Sequence, residues 1–348
     1  HDDDREEEPG EHPRIVEAPG ERLVPVVPGT VHRMTAPTTM STRPIAGLDR
    51  PVSTLGLGMM RIEALDDDAI ATLVNTGRDA GITLIDHADI YGTSLHACER
   101  RFAEAMRLTP SQRDELVIQT KCGIVPADGT FDFSAAHILE SVEGSLRALQ
   151  TEHIDILLLH RPDALVEPDE VAAAFDELHA SGKVRAFGVS NHTPRQIDLL
   201  QRSVRQKLAV NQVQLSLLHA AVIAQGIAMN IPGDPQSTTV DGGGIVDYCR
   251  LNDIAMQAWS PFQGPSGVFL GSPAHPELNA EIDRVAAAHG VEPIAVATAW
   301  ITRHPARIQV VLGTTTPARV TDAAPGADLP LTRAQWYGLF RAAGYLVP

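Results

Sequence analysis

Four polar side chains stand at the ends of three consecutive apolar runs. LIDHADIYG at 84–92 carries Asp86 and Tyr91, IQTK ends in Lys121, and LLLH ends in His160. Each residue alone could be structural: a helix cap, a packed aromatic, a snorkelling lysine or a satisfied core histidine. A carboxylate, a phenol, an ammonium and an imidazole at successive strand ends instead favour one shared site.

Proton transfer is the chemistry that this set could perform. A free phenol has a pKa near ~10, and a buried cation beside it favours the phenolate, which predicts a lower pKa for Tyr91. Lys121 would be that cation, and its own burial requires a compensating negative charge, for which Asp86 is placed. Tyr91 would then exchange a proton with a substrate oxygen that His160 orients.

Composition limits the classes of partner. The 348 residues are 43% hydrophobic and 21% charged, and 28 Lys and Arg against 44 Asp and Glu give a net charge of -16. Such an acidic chain disfavours nucleic acid and anionic membranes and favours small-molecule partners. No CxxC pair occurs among the three cysteines, and no apolar run reaches the roughly 18 residues of a membrane span. These features predict a reducing, cytoplasmic setting and no metal site.

The first 39 residues differ from the rest, with nine acidic residues, four basic residues and six prolines. This composition predicts disorder, either as a solvated extension or as sequence upstream of a start at Met34 or Met40. We therefore expect a disordered acidic, Pro-rich extension over 1–43 and one folded domain over 44–348.

Eight short apolar runs alternate with stretches of helical period from residue 53 onward. This order predicts a closed (β/α)8 barrel, the TIM barrel, with its chemistry at the carboxyl ends of the strands. A doubly wound open sheet is the alternative, but GLGMMRIE at 56–63 lacks the third glycine of its phosphate fingerprint. The predicted strands lie within 53–60, 82–88, 116–122, 155–161, 184–191, 209–216, 254–261 and 308–314.

The motifs, in this order and spacing, resemble those of the aldo-keto reductase superfamily, from about residue 50 to the end. They are LIDHADIYG, IQTKCG, LLLHRPD, FGVSN, VNQVQ and AWSPF, and the ending LTRAQWYGLFRAAGYLVP resembles a bacterial oxidoreductase branch. The resemblance maps the family's catalytic tetrad onto Asp86, Tyr91, Lys121 and His160 without substitution. It implies NADP(H)-dependent reduction of aldehydes or ketones to alcohols, with Tyr91 as general acid.

The resemblance also implies a cofactor site. Amide and hydroxyl side chains at 190, 191 and 212 would contact the nicotinamide carboxamide, and Trp259 would stack on its ring unless it is a core tryptophan. Phosphates would lie after the seventh and eighth strands. The cofactor-binding residues are Gly58, Met59, Ser190, Asn191, Gln212, Trp259, Ser260, Pro261, Phe262, Gly313, Thr314, Thr315, Arg319 and Asp322.

Two regions depart from the family or lack a motif. Gly313 replaces a lysine that many members pair with the 2′-phosphate of NADPH; Arg319 keeps the other phosphate position, so NADP(H) is preferred and NAD(H) stays open. Gly123, where several members have an aromatic residue, predicts a wider substrate mouth together with Met59 and Met60. The loops at 217–246 and 263–278 contain no motif that identifies a substrate.

Three other classes remain in view. A Schiff-base lyase could use Lys121 as nucleophile, but Asp86 would favour the charged amine. A nucleotide-binding regulatory subunit could keep the fold with little turnover, although the complete tetrad argues against it. A scaffold barrel is the weakest alternative, because a fold alone implies no function.

Overall fold

The computed structural model describes residues 40–227 and 244–347. Eight strands form a closed barrel in which each strand pairs in parallel with the next along the chain and the last pairs with the first. The strands are β1 (Leu55–Gly58), β2 (Leu84–Asp86), β3 (Val117–Cys122), β4 (Ile154–Leu159), β5 (Val184–Ser190), β6 (Leu208–Gln214), β7 (Ala255–Trp259) and β8 (Gln309–Leu312). Six lie within the predicted runs, β4 and β6 begin one residue earlier, at Ile154 and Leu208, and the predicted (β/α)8 barrel is confirmed.

Helices alternate with the strands. They are α1 (Asp67–Asp79), α2 (Ala97–Met106), α3 (Pro110–Asp114), α4 (Ala135–Leu149), α5 (Pro168–Ala180), α6 (Pro194–Gln201), α7 (Ala221–Ile227), α8 (Ile245–Leu251), α9 (Pro276–His289), α10 (Pro293–Thr302), α11 (Pro317–Ala323) and α12 (Arg333–Ala342). Within residues 40–227 and 244–347, no helix combines the length and apolar character needed to cross a membrane.

Local sequence explains where the helices begin and which face they bury. The Asp66 side chain accepts a hydrogen bond from Ala69 N and caps α1, and Ser134 caps α4 in the same way through His137 N. The apolar residues of both helices are buried: Ile70, Leu73 and Val74 in α1, and Ile138, Val142, Leu146 and Leu149 in α4. An apolar stripe at 3.6-residue spacing therefore fixes how each helix packs on the barrel.

Alternate residues of each strand face opposite sides. Leu84 and Val117 belong to an apolar cluster inside the barrel, whereas Ile85 and Ile118 join the larger cluster beneath the helices. Two positions after Leu84, the inward residue is Asp86. The interior is therefore apolar near the amino ends of these strands and polar near their carboxyl ends.

Three short antiparallel pairs lie outside the barrel: Thr42–Arg43 with Val52–Ser53, Ile124–Val125 with Thr130–Phe131, and Gln263–Gly264 with Gly267–Val268. The first pair joins residues 42 and 43 to the chain that enters β1, although the sequence assigned them to the extension. Residues 1–39, the predicted disordered segment, lie outside the described residues, as does most of the 217–246 loop.

Candidate active site

The centre of the site is a buried ion pair. Lys121 Nζ lies 2.8 Å from both carboxylate oxygens of Asp86, and the two residues are 1% and 2% exposed. The ammonium also donates to His87 O at 2.7 Å and to Tyr91 Oη at 3.1 Å. Because four acceptors surround Nζ, its charge is compensated and its position is fixed.

Strand register and one loop bring these groups together. Asp86 ends β2 opposite Gln119 of β3, and Lys121, two residues further, faces the same side. In the loop after β2, Tyr91 N donates a hydrogen bond to Ala88 O at 3.1 Å. This turn places the Tyr91 ring beside the ammonium, with Lys121 Nζ 4.9 Å from the ring centroid.

His160 follows β4 immediately and completes the group. Its backbone N donates to Cys122 O at 2.9 Å, and its ring lies edge-on to Tyr91 with 5.9 Å between centroids. The predicted tetrad therefore shares one location. Asp86, Tyr91 and His160 border a cavity of about 1050 Å³, and the buried Lys121 contacts Tyr91 beneath it.

A layer of glutamines lies under Asp86. Gln119 Nε2 and Gln212 Nε2 donate to Asp86 Oδ1 at 2.5 and 3.0 Å, and both also donate to Gln257 Oε1, at 2.8 and 3.1 Å. Gln257 Nε2 donates to Gln309 Oε1 at 3.3 Å, and Gln309 Nε2 to Ser53 O at 2.7 Å. Asp86 is thus hydrogen-bonded across the barrel as well as paired with Lys121. Of these glutamines, only Gln212 was predicted from the sequence.

Burial has a larger effect on the phenol than predicted. Desolvation raises the pKa of Tyr91, and it outweighs the ammonium of Lys121, which lowers that pKa. The prediction of a lowered Tyr91 pKa was therefore wrong for this structure, because sequence alone does not give the depth of burial. For Lys121, burial lowers the pKa, but the charge of Asp86, together with Tyr91, outweighs burial and the net pKa is raised.

His160 is a neutral imidazole at ordinary pH. Burial, followed by the charges of Lys121 and Arg161, lowers its pKa to about 2. Its Nδ1 atom is buried without a hydrogen-bond partner in the described structure. One ring nitrogen of a neutral imidazole carries a proton, so His160 can donate a single hydrogen bond to an oxygen in the cavity.

Most of the predicted cofactor residues line the same cavity. They are Gly58, Ser190, Asn191, Gln212, Trp259, Ser260, Pro261, Phe262, Gly313, Thr314, Arg319 and Asp322. Two do not: Met59 is fully buried, with its N donating to Asp86 O at 2.9 Å, and Thr315 lies outside the cavity wall.

A hydrogen-bond chain orders the wall between β5 and β7. Ser190 Oγ donates to Gln212 O at 2.9 Å, and Asn191 Nδ2 donates to Ser190 Oγ at 2.8 Å. Trp259 Nε1 donates to Asn191 Oδ1 at 3.1 Å. Trp259 is therefore held at the cavity wall and is not a core residue.

Gly123 does not line the cavity, and the wider mouth predicted from it stays a prediction. This residue has φ +100, and a Cβ placed there would lie 2.2 Å from Phe133 Cε1. Glycine is required by the backbone conformation and by the close approach of Phe133, which fills the adjacent space. Met60 does line the cavity and is 48% exposed.

Several lining residues were missed. Arg61, Ile90, Arg161 and Glu292 border the cavity, but the sequence assigned a role to none of them, although Ile90 and Arg161 lie within two of the quoted motifs. Arg61 directly follows the predicted run 53–60 and Arg161 ends the run 155–161, and this position at a strand end was the available signal. The described part of the chain contains no group of three or more His, Cys, Asp or Glu side chains placed to hold a metal ion.

Comparison with known proteins identifies reductases and oxidoreductases that are similar to this chain. The chain is 38% identical over 271 residues to 6-dehydroglucose reductase of Agrobacterium fabrum, covering 76% of this chain and 84% of that protein. It is 36% identical over 287 residues to oxidoreductase YdhF of Escherichia coli, covering 80% and 89%. An aldo/keto reductase from Klebsiella pneumoniae, crystallised with NADP and acetate, has the same fold, with TM-score 0.66, 23% identity and coverage of 89% and 96%.

A model of one protein family matches most of the chain. The model of the aldo/keto reductase family matches residues 54–339, which include all eight barrel strands and the whole candidate site. With the barrel, the four side chains around the cavity and these relatives in agreement, the chain belongs to the aldo/keto reductase family.

Proposed function

We propose that this protein is an NADP(H)-dependent reductase of aldehydes and ketones in which Tyr91 is the general acid. The observation that carries the proposal is the position of Lys121 Nζ, which contacts both the Asp86 carboxylate and the Tyr91 hydroxyl at the wall of a large cavity. A bound nicotinamide would supply the hydride, and the protein must then deliver a proton to the oxygen.

The raised Tyr91 pKa suits this direction of reaction. A buried phenol stays protonated before the reaction and is available as a donor. Once the proton has left, Lys121 stabilises the phenolate, and Asp86 keeps Lys121 charged. The neutral His160 would hold the substrate oxygen beside the phenol. In alcohol oxidation, the Tyr91 phenolate would accept the proton.

The cavity wall fits a nicotinamide dinucleotide chemically. Ser190, Asn191 and Gln212 provide hydroxyl and amide groups near the tetrad, and Trp259 provides a flat ring. Arg61 and Arg319 line the same cavity, and neither has a carboxylate partner within residues 40–227 and 244–347. Unpaired guanidinium groups suit the phosphates of such a cofactor.

The name of one relative adds a class of substrate to test. One relative is named for reduction of 6-dehydroglucose, a sugar aldehyde, so sugar aldehydes join simple aldehydes, ketones and dicarbonyls. Lys121 is unsuited to Schiff-base chemistry, because its raised pKa keeps the amine protonated. The small-molecule carbonyl partner and the cytoplasmic location also stay predictions.

Two measurements test the proposal. Loss of nicotinamide absorbance with a panel of carbonyls should show turnover with NADPH. Fluorescence quenching should report binding mainly through Trp259, because Trp300 and Trp336 stack on each other, 5.1 Å between centroids, away from the cavity. A Trp259→Phe control should lose the quench. Tight binding without turnover on any carbonyl would favour the regulatory subunit, and absence of both would overturn the proposal.

A further inference from the structure

Glu99 is a deeply buried carboxyl group that the proposed proton transfer does not use. It lies in the first turn of α2, and its side chain is 0% exposed. Thr120 Oγ1 donates to Glu99 Oε1 at 2.6 Å, and His96 Nδ1 lies 2.6 Å from Glu99 Oε2. Burial raises the pKa of Glu99, but the hydrogen bond from His96, the charge of His87 and the hydrogen bond from Thr120 outweigh burial, so the net pKa is lowered. An ionised carboxylate only accepts hydrogen bonds, so His96 Nδ1 is the donor.

The two partners of Glu99 belong to the two segments that carry the reacting side chains. Thr120 immediately precedes Lys121 on β3, so its side chain faces the helices while the ammonium faces the barrel interior. His96 is the last residue of the loop 87–96, which carries Tyr91. Glu99 therefore joins the far end of this loop to the strand that bears the catalytic ammonium.

The contacts of His96 show that its position is closely fitted. Its φ of +61 is uncommon for a residue other than glycine, so surrounding contacts must hold it. Its ring packs against α4 at Gly144, where an added Cβ would lie 2.2 Å from the ring Nε2. Its backbone N donates to Asp89 O at 2.5 Å, and Cys98 N donates to Tyr91 O at 3.1 Å. These bonds close the loop around the phenol.

A second carboxylate, Glu63, also binds this loop, but at its surface. Thr93 N and Thr93 Oγ1 donate to the two oxygens of Glu63 at 2.6 Å each, and both contacts are exposed. Water competes for exposed hydrogen bonds, whereas buried ones are stronger and costly to lose. Glu99 is therefore the buried anchor of the loop.

We propose that Glu99 is a positioning residue that fixes the Tyr91 hydroxyl against Lys121 Nζ. It does so by joining His96 to Thr120, and the inference rests on the proposed function. The hydroxyl and the ammonium are 3.1 Å apart. A misplacement of about 1 Å can lower a rate roughly 100-fold, so even a small release of the loop should slow proton transfer.

Two substitutions at Thr120 separate hydrogen bonding from packing. Thr120→Val keeps the buried volume but removes the donor to Glu99, so kcat should fall roughly 10-fold while the KM values for carbonyl and NADPH stay within about 2-fold. Thr120→Ser keeps the hydroxyl but loses a buried methyl group, so it should lower the urea midpoint of unfolding yet retain most of kcat.

Thr298→Val is the matched control. Thr298 is a buried threonine of α10 whose hydroxyl donates to Ile294 O at 2.8 Å, and it does not line the cavity. This substitution also removes one buried hydroxyl, but far from the loop. Its kcat per folded molecule should equal that of wild type.

Hydrogen exchange followed by mass spectrometry measures the anchoring of the loop without turnover. Peptides covering 87–98 should exchange roughly 10-fold faster in Thr120→Val and in His96→Gly, and at the wild-type rate in Thr298→Val. His96→Gly removes the other donor to Glu99, and glycine accepts the positive φ without strain. Its kcat should fall as in Thr120→Val.

The outcomes distinguish the inference from the proposed function. The inference fails if Thr120→Val keeps the wild-type kcat, or if exchange over 87–98 stays unchanged. It also fails if the valine and serine variants lose kcat in proportion to their loss of stability, since Glu99 would then serve packing alone. In these three cases wild type still reduces carbonyls with NADPH, and the proposed function stands. If wild type reduces no carbonyl, the proposed function fails and the inference falls with it.

Discussion

Two ion pairs are buried at opposite ends of the barrel. Lys121–Asp86 lies at the carboxyl ends of the strands, whereas Arg113–Asp155 lies at the start of β4, with Nη2 to Oδ2 at 2.8 Å. Asp155 also accepts from Ile118 N at 2.9 Å, and Arg113 donates to Leu116 O and His153 O at 3.2 and 2.8 Å. Arg185 Nη1 also donates to Asp155 Oδ1, at 3.1 Å, and Arg113 Nε donates to Thr151 Oγ1, at 3.0 Å. Arg113–Asp155, the lower pair, is therefore held by backbone groups and by a second arginine.

Lys121–Asp86, the upper pair, differs because it contacts a side chain that borders the cavity. Its ammonium contacts the Tyr91 hydroxyl, and that phenol borders the cavity. Both pairs hold charge in a poorly solvated place, but only the upper one is coupled to a proton that can leave. This agrees with the general division in (β/α)8 barrels, where the carboxyl ends of strands serve chemistry and the amino ends serve stability.

The sharpest test of this division is Tyr91→Phe. We expect turnover to fall roughly 10²- to 10⁴-fold, because the general acid is lost, with cofactor affinity nearly unchanged. Nicotinamide absorbance and Trp259 quenching measure the two quantities. Parallel loss of affinity and turnover would show that the phenol is structural, as the lower ion pair is.

Lys121→Met should damage chemistry and stability together. Turnover should fall strongly, and unfolding free energy should drop by about 3–5 kcal/mol, because Asp86 is left as an uncompensated buried charge. The double variant Asp86→Asn with Lys121→Met should regain stability but not turnover. Activity retained in either variant would refute the role assigned to Lys121.

Arg113→Met should lower stability without lowering turnover. Removing Arg113 should cost about 1–3 kcal/mol in denaturant unfolding, because Arg185 Nη1 stays 3.1 Å from Asp155 Oδ1, while kcat per folded molecule stays within about 2-fold. Arg284→Met is the control, since Arg284 pairs with Glu281 at the surface and should cost about 0–1 kcal/mol. A large loss of kcat in Arg113→Met would erase the proposed distinction.

The smallest effect concerns Asp89, a buried carboxyl near the carboxyl ends of the strands, with which no Lys or Arg side chain of the described residues forms an ion pair. Burial, then the charge of Glu99, raises its pKa from 3.8 to about 7. Between these values the folded state binds more protons than the unfolded state, so stability should fall as pH rises from about 4 to about 7.

Asp89→Asn should remove that part of the pH dependence. The gain in unfolding free energy of the variant over wild type should be about 1–3 kcal/mol larger at pH 8 than at pH 5. Urea unfolding at both pH values measures it. Asp283→Asn, an exposed position in α9, is the control and should leave the slope unchanged. An identical slope in wild type and Asp89→Asn would contradict the assigned pKa.

The sequence predicted the barrel and the position of the tetrad because both produce local patterns along the chain. Strands buried on both faces, such as β4, read as continuous apolar runs, and Asp86, Lys121 and His160 each fall at the end of one. Consecutive strands of a parallel barrel are neighbours, so the sequence alone predicts that the ends of successive runs lie together.

What sequence missed depends on long-range closure. The Arg61 contact with Gly313 joins residues 252 positions apart, and Gln119 meets Gln257 only across the closed barrel. The sign of the Tyr91 pKa shift required the depth of burial, and the role of Gly123 required the position of Phe133. None of these follows from spacing along the chain.

The glutamine layer has a consequence for anyone reshaping this enzyme. Replacing Gln257 with leucine would remove the donor to Gln309 Oε1 and the acceptor shared by Gln119 and Gln212, a penalty of about 1–3 kcal/mol at the base of the pocket. Engineering for new substrates should therefore leave these amides intact and vary Met60, Ile90 and Ile124, which border the opening.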